Sequence, residues 1–238
     1  MRAGILPGHR DYRPFVIVSQ ARSGSNLLVS LLGSHPHVEA SGELLKRLHG
    51  ADVATRVAEI YGPKPRRIRA AGFKCFYYHP LDDRAAPMWE RLLEVPDLHL
   101  VHLQRRNVLR TVTSRKLASL TGAWLARGAE ARAGVATKPT ITFTPEELRT
   151  AFEQCDRWVA ECELRTGDRP LHEVAYEDLA SDPACIEGVM RFLAVEPRPG
   201  HTRLLRQNPE PLSQLIEDFD GLRRAFEGTR WSRYFSDT

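Results

Sequence analysis

Phe15-Val16-Ile17-Val18-Ser19-Gln20-Ala21-Arg22-Ser23-Gly24-Ser25-Asn26-Leu27-Leu28 is the stretch whose reading decides the fold. An apolar run of strand character stops at Ser19 and a small polar loop follows. Apolar residues then resume with helical spacing through Val29-Ser30-Leu31-Leu32. The reading is a strand, a loop and a helix start. The first N–H groups of a helix have no partner within it, and the helix dipole adds partial positive charge. Such a loop therefore favours a phosphate or a sulfate.

Outward from that stretch, residues 1–11 read as a flexible lead. The first helix is expected to run to about Ser34, where His35-Pro36-His37 interrupts it. Val38-Glu39-Ala40-Ser41 reads as a short extended piece, and Gly42-Glu43 as a turn opening a helical stretch from Leu44. Residues 71–78 have the aromatic content of a strand, which His79-Pro80 terminates. A helix from about Leu81 to Glu94 leads to a third strand over 98–103. Asn107 to about Trp124 turns helical, with Val108, Leu109, Val112, Leu117 and Leu120 as its apolar positions.

Residues 127–144 are rich in Gly, Ala, Thr and Pro without clear periodicity, which predicts a lid or substrate loop. Thr144 is the expected N-cap of a helix that runs past Trp158 to about Arg165. Residues 171–176 form a fourth strand, Ser181-Asp182-Pro183 opens a helix through about Leu193, and two short helical pieces complete the chain. Strands alternating with helices predict an α/β fold, a three-layer, P-loop-like central parallel sheet, in a single domain over 1–238. Ligands bind at the carboxyl ends of such strands, where the first loop, His79 and Arg106 all fall.

The 238 residues are 42% hydrophobic, ample for a packed core, and carry a formal charge of +4 spread over scattered arginines. That balance suits a small polyanion as well as it suits nucleic acid, and without a long basic run nucleic acid is not the expected partner. Cys75, Cys155, Cys162 and Cys185 show no C-x-x-C or zinc spacing, so reduced, buried thiols and no metal are expected. No apolar run is long enough to span a bilayer, and the first ten residues lack the apolar core of a signal peptide. The expectation is a soluble cytoplasmic protein with no transmembrane segment. Oligomeric state leaves no trace in the sequence.

The first loop departs from a nucleotide-binding P-loop. There is no G-x-x-x-x-G-K-[ST], Gly24 is the loop's glycine, and Arg22 stands where a cation reaches the ligand. The absent lysine and metal-binding hydroxyl count against a small-molecule or nucleotide kinase, the alternative enzyme class. Ala21-Arg22-Ser23-Gly24-Ser25-Asn26 resembles the 5′-phosphosulfate loop of sulfotransferases that use 3′-phosphoadenosine-5′-phosphosulfate (PAPS). Arg106-Asn107-Val108-Leu109-Arg110-Thr111-Val112-Thr113-Ser114 is similar to that family's 3′-phosphate motif, an arginine followed eight residues on by a serine. Asn107-Val108 replaces the common Asp-Pro, as nodulation-type and lipopolysaccharide sulfotransferases tolerate. Tyr176-Glu177-Asp178-Leu179 with Asp182-Pro183 is a third match, and the three keep the family's order over about residues 15–185.

The resemblance implies PAPS as cofactor (product PAP), no metal, and a hydroxyl acceptor on a sugar or glycolipid. It assigns Arg22, Ser23, Gly24, Ser25 and Asn26 to the phosphosulfate, and Arg106 with Ser114 to the 3′-phosphate, Arg110 being a weaker third. Arg22 is the expected transition-state cation. Glu43, in a Gly-Glu pair after the second strand, matches the base position of carbohydrate-directed bacterial enzymes. His79 is the rival base, at the position of a histidine in cytosolic small-molecule enzymes, where the acceptor would be a non-sugar alcohol or phenol. Lys74 is a candidate for contacting sulfonate or acceptor, Glu39 an outside candidate for base. Gly228-Thr229-Arg230-Trp231 is similar to the family's closing segment, with Arg230 on the 3′-phosphate and Trp231 either facing adenine or packed in the core. Arg206-Gln207-Asn208 is a further basic candidate. A non-enzymatic anion-binding module is the remaining alternative.

Overall fold

Residues 8–122, 124, 139–205 and 207–236 are described by the computed structural model. Most of the 127–144 loop and Arg206 lie outside the described residues. So do residues 1–7 of the lead, while His9 exchanges backbone hydrogen bonds with Lys64 at 2.8 Å in both directions. Two compact units divide the chain: one runs to Gln104 and includes Cys162–Thr202, and the other comprises Arg105–Glu161 and the chain from Arg203.

The first unit is built on β1 (Arg13–Ser19), β2 (Val38–Ser41), β3 (Ala70–Phe76), β4 (His99–Gln104) and β5 (Leu171–Ala175). Among the described residues these form one sheet in the order β2-β3-β1-β4-β5, every pairing parallel. Side chains alternate between faces along a strand, so a strand covered on both sides reads as a continuous apolar run. Phe15 and Ile17 face one layer with Leu28, Leu32, Ile186 and Val189. These come from α1 (Ser25–Gly33) and a later helix, Pro183–Phe192. Val16 and Val18 face the other, with Val53 and Val57 of α2 (Val53–Ile60) and Met88, Trp89 and Leu92 of α3 (Met88–Leu93). The result is the expected three-layer α/β arrangement. The chain leaves β1 toward β2 and β3, then crosses to β4 on the opposite side, so the connection reverses at β1.

The second unit packs α4 (Val108–Thr121) and the first part of α5 (Pro145–Thr166) around a core of Leu109, Leu148, Phe152, Phe226, Trp231 and Tyr234. Helix starts here follow the sequence closely. Asn107 caps α4 by accepting from Arg110 N–H at 3.1 Å. Thr144 and Glu147 cap each other, N–H to side chain in both directions, at 2.8 and 3.1 Å. Cys75, Cys155 and Cys162 are buried free thiols, as expected, whereas Cys185 is partly exposed.

Three expectations need correction. No helix starts at Leu44: the carboxylate of Asp82 takes the N–H groups of Leu48 and His49 at 2.9 and 2.8 Å, and His49 and Gly50 adopt φ of 52° and 79°, so the segment turns. The helix drawn from Leu81 shortens to α3, because Asp83 captures Ala85 N–H at 3.1 Å and Pro87 stands at the helix entry. Gly122, at φ 70°, ends α4 before Trp124 and leaves Leu120 63% exposed, outside the core.

Gly72 lies opposite Phe15 in the sheet, and a Cβ there would run into the Phe15 carbonyl oxygen and ring. Gly72→Ala is expected to lower stability by about 1–3 kcal/mol through overpacking, read as a reduced urea midpoint with an unchanged slope.

Candidate active site

The turn after β1 combines two left-handed residues, Arg22 at φ 71° and Gly24 at φ 97°. Alternation of left-handed and ordinary backbone turns successive N–H groups to one side, a concavity that suits an anion. Arginine is strained in that region, so the loop must hold it there. Buried Ser23 donates its hydroxyl to Gln20 C=O at 2.7 Å, and Ala21 N–H reaches Tyr78 Oη at 3.4 Å. A Cβ on Gly24 would enter the ring of Tyr176, the first residue after β5. The Ser23 side chain is thus spent inside the loop, and α1 starts at Ser25 without a side-chain cap. Burial pushes the Arg22 guanidinium below its ordinary value, with nearby Tyr176 opposing the shift. Ser19, fully buried, has no hydrogen-bond partner for its hydroxyl among the described residues.

Beside the loop the fold brings four candidate residues into one network. Lys74 Nζ on β3 donates to Asn26 Oδ1 at 2.5 Å and contacts Glu43 Oε1 at 3.1 Å. Glu43, two residues beyond β2, also lies 3.6 Å from Lys46 Nζ and, through Oε2, 3.7 Å from His79 Nε2. Burial lowers the Lys74 pKa and Glu43 opposes it. His79, three residues beyond β3, accepts Phe76 N–H at Nδ1, at 3.2 Å. A ring nitrogen that accepts carries no proton, so the neutral ring has its proton on Nε2, facing Glu43. Burial pushes the His79 pKa down to about 4, so the imidazole is neutral at pH 7, and its 3.7 Å separation from Glu43 is too long for a hydrogen bond. Glu39 is engaged elsewhere, in an ion pair with Lys64 at 2.5 Å.

The second unit holds the other expected contacts. Arg106 is exposed, two residues beyond the end of β4 in the chain, and Ser114 is buried on α4, accepting from Asn208 Nδ2 at 3.0 Å. Arg110 is buried and donates to Glu210 C=O at 3.1 Å. Arg230 pairs with Asp156 at 2.7 Å, and Trp231 lies in the core with its indole N–H on the same carboxylate at 3.1 Å. Of the two readings for Trp231, the ring takes the packed one. Tyr78, Tyr176 and the Lys74–Asn26 contact were not assigned roles from the sequence. Tyr176 opens a recurring motif, which was the available signal, while nothing local marks the other two. Among the described residues no cluster of His, Cys, Asp or Glu has a metal-binding arrangement, and no helix is long and apolar enough to cross a membrane.

No family model matches the chain. Nodulation protein H of Rhizobium tropici is 26% identical over 93% of this chain and 92% of its own length. Nodulation protein H of Rhizobium meliloti is 26% identical over 94% of this chain and 95% of its own. Among solved structures, a sulfotransferase from Alicyclobacillus acidocaldarius superposes with a TM-score of 0.52 at 17% identity, covering 90% of each chain. The structural likeness bears on the fold. The sequence likeness, running through nearly the whole chain, supports the resemblance to PAPS-type sulfotransferases that the motifs indicate.

Burial lowers the pKa of His35, His102 and His172 as well as that of His79. The unfolded chain binds these protons at about pH 6.5, so the stability they represent is fully present above that value and is lost as pH falls toward 4 for His79. Unfolding free energies from urea titrations should be flat from pH 8 to 7 and decline below 6.5, by roughly 1 kcal/mol per pH unit for His79. His79→Gln should decline less steeply.

Proposed function

We propose that the protein is a PAPS-dependent sulfotransferase that modifies a hydroxyl of a carbohydrate or glycolipid, with Glu43 as general base. One observation carries this reading: the anion-suited loop turned by Arg22 and Gly24 and the carboxylate of Glu43 belong to one bonded network, through Asn26 and Lys74. The residues present fit a phosphosulfate. Gly24 has no room for a side chain against Tyr176, the Ser19 hydroxyl is buried and has no partner among the described residues, and Arg22 is a cation within the loop.

When bound, PAPS supplies a sulfuryl group whose S–O bond to the 5′-phosphate breaks as an S–O bond to the acceptor oxygen forms. Arg22 and the loop N–H groups from about Ser23 to Asn26 stabilise the negative charge released on the phosphate side. Ser25 and Asn26 do so from the first turn of α1. Glu43 takes the proton of the acceptor hydroxyl. His79 is not suited to that task, because its one lone pair is engaged by Phe76 N–H and its proton faces Glu43. Its Nε2 proton lies beside the carboxylate at a separation too long for a hydrogen bond. Lys74 contacts the same carboxylate. Arg106 and Ser114 are assigned to the 3′-phosphate by motif, a guanidinium being able to offer a forked pair of donors. Arg230 is the least favoured of the assigned contacts, since Asp156 already holds it. The sugar acceptor rests on the likeness to nodulation-type enzymes, and the loop sequence without its P-loop lysine weighs against a kinase.

A screen with sulfur-labelled PAPS against sugars, glycolipids and phenols should transfer label to a carbohydrate hydroxyl. Calorimetry should give PAP affinity on the order of micromolar, weakened at least about 10-fold by Arg106→Ala. Glu43→Gln should lower kcat at least about 100-fold while PAP affinity stays nearly unchanged. Binding of magnesium-ATP with no binding of PAP would overturn the reading, and a loss of turnover confined to His79→Gln would transfer the base role to the histidine.

A further inference from the structure

We propose that Lys74 is a positioning residue, which ties the Glu43 carboxylate to the first turn of α1 and so fixes the base relative to the anion loop. This rests on the sulfotransferase reading above. Lys74 lies on β3 next to Ile17 of β1, and its backbone N–H donates to Gly42 C=O at 3.3 Å. Its main chain therefore grips the residue before Glu43, and its ammonium grips the side chain at 3.1 Å. The same ammonium donates to Asn26 Oδ1 and lies 5.3 Å from the centre of the Phe76 ring. An ammonium has three N–H bonds, and an amide oxygen, a carboxylate and an aromatic face are three partners for them.

The residue is 5% exposed. Burying a cation beside a carboxylate gains little stability over apolar packing, because desolvation offsets the attraction. What the arrangement does supply is geometry. The ammonium meets Asn26 of the first turn of α1 on one side and the base on the other. Once Glu43 has taken the acceptor proton its attraction for Lys74 weakens, but neutral Asn26 still anchors the ammonium. The ammonium thus stays fixed at the loop and sets where the carboxylate lies before the transfer. In-line displacement is demanding in this respect, a misplacement of about 1 Å costing on the order of 100-fold in rate.

The tether is read first without ligand, by ¹H–¹⁵N correlation of lysine side chains in the full chain. A slowly exchanging ammonium signal, assigned by its loss in Lys74→Met, is expected in the wild type and should broaden away in Asn26→Ala and in Glu43→Ala. Its role is read next as PAP release from PAPS with water as acceptor. Lys74→Met should lower kcat about 100-fold with KM for PAPS changed less than about 3-fold, and should cost less than about 3-fold more in a Glu43→Gln background. Lys74→Arg should recover part of the loss. Multiplying losses in the double variant, a rise in KM alone, or an ammonium signal absent from the wild type or indifferent to both alanine variants would each overturn the proposal. If Lys74→Met does not fold, Lys74→Gln, whose shorter neutral head cannot bridge both partners, carries the same comparison. A wild type that neither binds PAP nor releases it removes the sulfotransferase reading and the catalytic role together, while the ammonium signal still reports the tether.

Discussion

The first unit depends on a central strand that is satisfied on every side. β1 is hydrogen-bonded to β3 on one edge and β4 on the other, and Phe15, Val16, Ile17 and Val18 are fully buried on its two faces. Such a strand has nothing left with which to meet a ligand except its carboxyl end. There the ladder continues only as far as Tyr77 N–H to Ser19 C=O, at 3.1 Å, after which the chain must turn. Polar chemistry is therefore confined by the core to one rim, where the loop after β1, Glu43 after β2, His79 after β3 and Tyr176 after β5 are all delivered.

Lys74 is the exception to that confinement. It is a strand residue one step inside the rim, and a charge there needs partners or it would lose its proton. The partners come from two separate connections, Asn26 after β1 and Glu43 after β2. Packing between apolar layers fixes where the strands lie, but it leaves the loops beyond them with some freedom. A buried cation shared between two loops removes that freedom in a way a methyl group cannot, since its contacts have direction as well as closeness.

This division also separates what the sequence discloses from what it does not. The apolar run at 15–18 discloses β1 because burial on both faces leaves no other residue types. Thr144 with Glu147, and Asp182 before Pro183, disclose helix starts because capping is a local bargain between neighbours in the chain. The segments at 44–50 and 81–87 are different. Asp82 accepts from Leu48 and His49, more than thirty residues away in the chain, and that contact overrides local helix propensity. Arg22 and Glu43 were legible as candidates through motif position. That Lys74 joins Asn26 to Glu43 was not, because a lone lysine in an apolar strand reads equally well as one whose stem is buried and whose head reaches solvent.

The choice between Glu43 and His79 turns on a single backbone group. A general base must present a lone pair toward the acceptor, and neutral imidazole has only one. In His79 that lone pair is directed at Phe76 N–H, within the same turn. Rotating the ring to offer Nδ1 to an acceptor would leave this buried N–H without its partner, at a cost of about 1–3 kcal/mol before any chemistry begins. Burial adds to the difficulty, since a pKa near 4 makes the protonated product of such a transfer unfavourable at neutral pH. Glu43 carries no comparable restriction: Lys74 meets one oxygen, and the other faces Lys46 and a histidine proton that is too distant to bond with it. On this geometry the carboxylate is the better placed of the two candidates for the proposed base.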